Sequence, residues 1–148
     1  MDKAQLLYRI KQIGDRATKG ISDVMRDEAE NIRDLARSNA PVDEGNLEAA
    51  IKTDFDYQGI NRRLRASIYI DMEMPEAQGN GRTVGRYAEI MHELLAPYGS
   101  GRFNLGKKSE DKRAAGHDVG GKFLERAAEA RVEPMLTRVM NIVRRSLR

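Results

Sequence analysis

The stretch Ala40-Pro41-Val42-Asp43-Glu44-Gly45-Asn46-Leu47 separates two hydrophobic patterns of different period, and so fixes a corner in the chain. Before it, over residues 4–39, apolar positions recur at helical spacing: Leu6, Leu7, Ile10, Ile13, Ala17, Ile21, Val24, Met25, Ile32, Leu35 and Ala36. After it, over residues 50–57, apolar and polar residues alternate as in a strand with one buried face. Pro41 lacks the N–H that a helix interior requires, and Asp-Glu-Gly is turn chemistry. A helix over 4–39 that stops at this corner is therefore predicted.

Unbroken, that helix spans roughly 50 Å, whereas a compact domain of this length is about 40 Å across. It must either break, with Gly14 and Gly20 as the weakest points, or protrude. Glu28 interrupts the apolar stripe. The far turns are accordingly expected to face something other than the chain's own core.

Ile51, Thr53, Phe55 and Tyr57 share one face of the first alternating run, and Leu64, Ala66, Ile68 and Ile70 share one face of a second run at 63–70. Gln58-Gly59-Ile60-Asn61 lies between the runs, giving an antiparallel hairpin. On its outer face the acids of the first strand can sit across from the arginines of the second. From Asp71 to Gly121 periodicity fades, and nine of the thirteen glycines fall there. A short helix or strand-to-helix transition is expected at 87–95, between long loops at 72–85 and 96–120 that would order against a partner. Gly120-Gly121 then opens a second helical pattern through Leu147, which Pro134 kinks or divides.

These elements define an α+β fold on one domain, residues 1–148. A helix (4–39) and a C-terminal helix (121–148) pack on a small antiparallel sheet containing the hairpin (50–70), with a glycine-rich loop region (71–120). With no cysteine there is no disulfide framework or thiolate metal site. No apolar run approaches the ~20 residues of a membrane span, and Met1-Asp2-Lys3-Ala4 leads into no signal core. A soluble, unexported protein is expected. Its net charge of +3 is too even to indicate nucleic acid by itself. Aromatics are 5% of residues with no tryptophan, which makes the core thin and permits reliance on partner subunits for burial.

Several segments approach chemical motifs and miss them. Gly101 to Lys107 matches a phosphate-binding loop, but Lys108 stands where Ser or Thr must reach magnesium, and the strand–helix context is absent. His92-Glu93 begins a zinc-protease motif, whose second histidine is replaced by Ala96. The glycines at 79–85 lack dinucleotide spacing. No catalytic, cofactor-binding or metal-ligating residues emerge, no cofactor is expected, and the chain reads as no enzyme. The tail of the final helix is basic, with Arg131, Arg138, Arg144, Arg145 and Arg148 opposed over that stretch only by Glu133. Of these, Arg138, Arg144, Arg145 and Arg148 are candidates to face DNA or a protein partner.

Three separated pieces align with one family. The corner with Pro41, Asp43, Gly45, Leu47 and Ile51 resembles the Ala-Pro-x-Asp-x-Gly-x-Leu-x-x-x-Ile corner of tail-completion proteins of tailed bacteriophages, also called head–tail connector or neck proteins. Tyr87-Ala88 with Glu93 resembles that family's Tyr-Ala-x-x-x-Glu element. Phe123-Leu124 with Ala127 resembles its Phe-Leu-x-x-Ala opening of the last helix. In this chain Gly-Thr does not follow the glutamate, and Gly121 replaces the family's usual proline. The resemblance implies a virion protein forming a homo-oligomeric ring, commonly a hexamer, at the neck, after assembly in the host cytoplasm. It implies a head-side connector or stopper partner and a tail terminator or tail tube partner, with DNA passing only nonspecifically and no membrane. The alternative from the residues alone is a small basic nucleic-acid-binding module acting through the arginine-rich C-terminal helix.

Overall fold

The structure, a computed structural model, describes residues 2–42, 45–58, 63–77, 79, 81–94 and 105–148. Its first element, α1 (Lys3–Asn39), is continuous for 37 residues, about 55 Å. Neither Gly14 nor Gly20 breaks it. Of the two expected outcomes, the helix takes the second and protrudes. It ends at Ala40, whose backbone turns to φ −69°, ψ 140°, the extended geometry that a following proline favours.

Beyond the corner, α2 (Asn46–Ala50) is one short turn. Its N-cap is Gly45 at φ 85°, a left-handed conformation that glycine adopts without steric cost. It runs directly into β1 (Ile51–Gln58), which pairs antiparallel with β2 (Arg63–Ile70). The register places Ile51 opposite Ile70, Thr53 opposite Ile68 and Phe55 opposite Ala66 on one face. On the other face Asp56 lies across from Arg65 as the charge pattern anticipated, but Asp54 lies across from Ser67. Lys52 instead reaches past the strand end to Asp71 at 2.6 Å. The turn residues 59–62 lie outside the described residues.

Segment 71–120, expected as loop, contains more regular structure than periodicity reveals. Met72 to Glu76 and Arg82 to Gly85 are tied by backbone hydrogen bonds at 2.9–3.0 Å, and Val84 is buried in the core. Helix α3 (Gly85–Glu89) continues into a π-helical turn (Ile90–Leu94). Helix α4 (Lys107–Ala114) was missed altogether, because its sequence has no apolar stripe. Residues 95–104, with most of the phosphate-loop look-alike, lie outside the described residues. Finally α5 (Phe123–Ser146) runs without interruption through Pro134, so that residue neither ends the helix nor starts another.

α1 is the central layer. Arg26 and Glu28, 200° apart on the helix, show why: Arg26 lies over the Phe55 ring of the hairpin at 4.9 Å, while Glu28 faces α5. Glu30 accepts a 3.0 Å hydrogen bond from Thr53 on the hairpin side. On the other side α5 runs antiparallel to α1, with Glu28 meeting Arg131 and Arg138, then Gly20 meeting Ile142. Farther out, Arg9, Gln12, Ile13 and Arg16 line a surface hollow with Ser146, Leu147 and Arg148. The two helices thus form an arm that extends beyond the core.

Candidate functional site

The described motif residues converge on one place. Leu47, Ile51, Ala88, Phe123 and Ala127 belong to a single buried cluster with Ala36, Ala40, Ala50 and Val84, and Tyr87 and Leu124 pack against it. Pro41 is buried beside them. Asp43 lies outside the described residues. Glu93 joins two of the pieces: its carboxylate pairs with Lys122 at the start of α5 and sits 2.6 Å from His92 Nδ1. Hydrogen bonding from Lys122, with a smaller contribution from His92, holds the Glu93 carboxyl below its ordinary value. Lys122 adopts φ 54°, uncommon for a residue with a side chain. Its N–H donates to the His92 carbonyl at 2.8 Å, so both ends of the residue are anchored to the π-helical turn. The His92 ring meets Phe123 edge-on, centroids 5.0 Å apart.

The corner is locked from two directions. Arg37 donates twice to the Ile51 carbonyl, at 3.1 and 2.7 Å, tying the end of α1 to the start of β1. From α4, Lys112 donates to the carbonyls of Arg37 and Ala40 at 2.7 and 2.9 Å and pairs with Glu48. The last carbonyls of a helix have no partner within it, and a cation there also meets the negative end of the macrodipole. Ser109, also on α4 and buried, both accepts from the Val42 N–H at 2.8 Å and donates to its carbonyl at 3.0 Å. Sequence reasoning missed Arg37, Ser109 and Lys112. The only available signal was the helix-forming composition of 107–114.

The arm carries the main charge correction. Glu28, which in the sequence only interrupts the apolar stripe, is 0% exposed and faces α5. Arg131 donates to it twice at 2.9 Å and Arg138 once at 2.6 Å, while Arg138 also reaches Asp27 at 2.7 Å. The basic tail of α5 is therefore opposed by acids of α1 as well as by Glu133. Burial alone would raise the Glu28 carboxyl, but hydrogen bonds from Arg138 and Arg131 outweigh it and hold the value below 4.5. Of the four candidate arginines, Arg138 is thus engaged internally, while Arg144, Arg145 and Arg148 are exposed near the arm's end.

Large apolar side chains on the arm are left in solvent. Leu6, Leu7, Tyr8 and Ile10 at its tip are 45–63% exposed, and Val132, Leu136 and Met140 on α5 are 43–50% exposed. Leu6 and Ile10 continue the α1 face that α5 covers lower down, past the point where α5 ends. Among the described residues, no group of three or more His, Asp or Glu is placed to hold a metal ion. No helix among them is long and apolar enough to cross a membrane.

A locked core thus bears an arm with exposed apolar faces, the kind of surface that marks an interaction site. A family profile described as "Bacteriophage HK97-gp10, putative tail-component" matches residues 4–89, more than half of the chain. The chain belongs to this family of phage tail components, a head–tail joining and tail-completion family of tailed phages. The match takes in α1, the corner, the hairpin and α3, while α5 lies beyond it. Comparison with curated proteins and with solved structures returned no match.

Proposed function

We propose that this chain forms a ring at the phage neck, joining the head connector to the tail and completing the tail end. Its partners in this reading are copies of itself, commonly six, a connector or stopper on the head side, and a terminator or tube protein on the tail side. The motif residues act as scaffold: Pro41, Gly45, Leu47, Ile51, Tyr87, Ala88, Phe123, Leu124 and Ala127 hold the body from which the arm projects. The observation that carries the reading is the arm's exposed apolar surface in a member of a tail-component family. A ring of identical subunits needs two different complementary faces on each. The arm and the edges of the two-stranded sheet, unpaired among the described residues, supply candidates.

The test is a phage or prophage lacking only this chain. Filled heads and tails that accumulate unjoined, and that join when purified protein is added, are the expected result. Complete infectious particles made without it would overturn the reading. The nucleic-acid alternative is weakened by the engagement of Arg131 and Arg138 with acids of α1. Replacing Arg144 and Arg145 by Glu separates the two further. Head–tail joining that survives this change supports the structural role, whereas DNA retention by the wild-type monomer that is lost in the variant supports the alternative.

A further inference from the structure

We infer that the tip of α1 in one copy seats on the exposed stripe of α5 in a second copy. This rests on the ring reading and assigns its subunit contact. The two apolar patches, Leu6–Ile10 and Val132–Met140, are on opposite parts of the arm. Val132 stands near the level of Glu28, so about 30 Å of rigid helix separates its level from Leu7. They cannot meet within one molecule.

Charge selects the pairing. Lys3, Arg9 and Lys11 are exposed around the tip against the single acid Asp2 at its first residue, which leaves the tip net positive. Glu125, Glu129 and Glu133 are exposed on the N-terminal half of α5, leading into the start of the stripe. Neither Lys3, Arg9 and Lys11 nor Glu129 and Glu133 form an ion pair among the described residues. The positive end of the α1 macrodipole adds to the attraction for the acidic stripe. Tip against tip would bring two net positive patches together, and stripe against stripe two acidic ones. Tip on stripe instead brings opposite charges together beside matched apolar rows. Because the two patches differ, each copy uses one to hold a neighbour and offers the other to the next, the head-to-tail contact from which rings close.

The absence of native cysteine makes a cross-linking test clean. Full-length Leu7→Cys and Leu136→Cys proteins, mixed at high concentration under mild oxidation, are expected to form a disulfide-linked heterodimer. Each alone is expected to form none. Reversing the tip (Lys3→Glu, Arg9→Glu, Lys11→Glu) or the stripe (Glu125→Lys, Glu129→Lys, Glu133→Lys) is expected to weaken self-association about tenfold or more. Mixing the two reversed proteins should restore it, since every tip then meets a stripe of opposite sign. All these side chains are exposed, and an unchanged thermal melt confirms the fold. Oligomers that form without the mixed cross-link, or cross-linking of Leu7→Cys with itself, overturn this pairing and leave the ring reading standing. A wild-type chain that stays monomeric at every concentration, and in the presence of tails and heads, overturns both.

Discussion

Glu28 occupies a position where the α1 seam would otherwise carry an apolar side chain, and its surroundings make it a sensitive reporter of the arm. Its folded value is lowered, so its stabilising contribution is complete above the ordinary 4.5 and is lost as pH falls through the lower folded value. Glu28→Gln should destabilise the protein by about 2–3 kcal/mol at neutral pH, discounting the usual cost of breaking a buried pair because both arginines are partly solvated. The gap between wild type and variant should shrink below pH 4.5, as denaturant titrations across pH would reveal. A gap that is flat with pH would mean that the carboxylate is not what the arginines hold. Gly45 poses a backbone question: a Cβ there meets nothing within 4 Å, yet φ is +85°. Gly45→Ala should therefore cost about 1–2 kcal/mol through left-handed strain alone. An equal loss on substitution by Asn would contradict that cause, because Asn tolerates this region better.

Two elements depend on a few specific contacts. Helix α4 is held on the corner through Ser109 and Lys112, polar groups bonded to the backbone. Lys112→Ala leaves the Arg37 and Ala40 carbonyls without this partner and should lower stability by about 2–3 kcal/mol. Amide hydrogen exchange should show protection lost first in 107–114; uniform loss over the whole chain would argue against a local latch. The arm depends on close approach at Gly20, where an added Cβ would lie 2.7 Å from the Ile142 methyl carbon. Gly20→Leu should cost about 1–3 kcal/mol by overpacking. Adding Ile142→Ala should recover part of that loss in a double-mutant cycle.

For the whole molecule, the notable division is between a body that satisfies itself and an arm that does not. The buried cluster lies at the meeting of α1, α2, β1, α3 and α5, whereas residues 3–10 are exposed on every side. Deleting residues 2–8 removes no buried side chain, so thermal unfolding should change little while self-association and head–tail joining fail together. A truncated protein that melts far lower would show that the tip belongs to the body. Cleavage by a protease confined to the first residues, and blocked on assembly, would locate the same surface without mutation.

The corner, the hairpin and its buried face, the long first helix and the opening of the last were all legible in the residues themselves. Each is set by period, by a proline that cannot donate, or by a glycine that can turn, and such constraints act over a few residues. The family was legible for the same reason, since its motif residues are the ones that build these junctions. What only the tertiary structure decided involves partners distant along the chain. Glu28 is buried because Arg131 and Arg138, seven residues apart and hence on one face of α5, lie against it. α4 exists as a docked helix because the end of α1 offers unpaired carbonyls to Lys112. Gly20 lies within an unbroken α1 with Ile142 packed against it, so a weak helix former becomes the point of closest approach between the helices. A buried charge and a broken stripe look alike along a sequence; they differ only in what is folded against them.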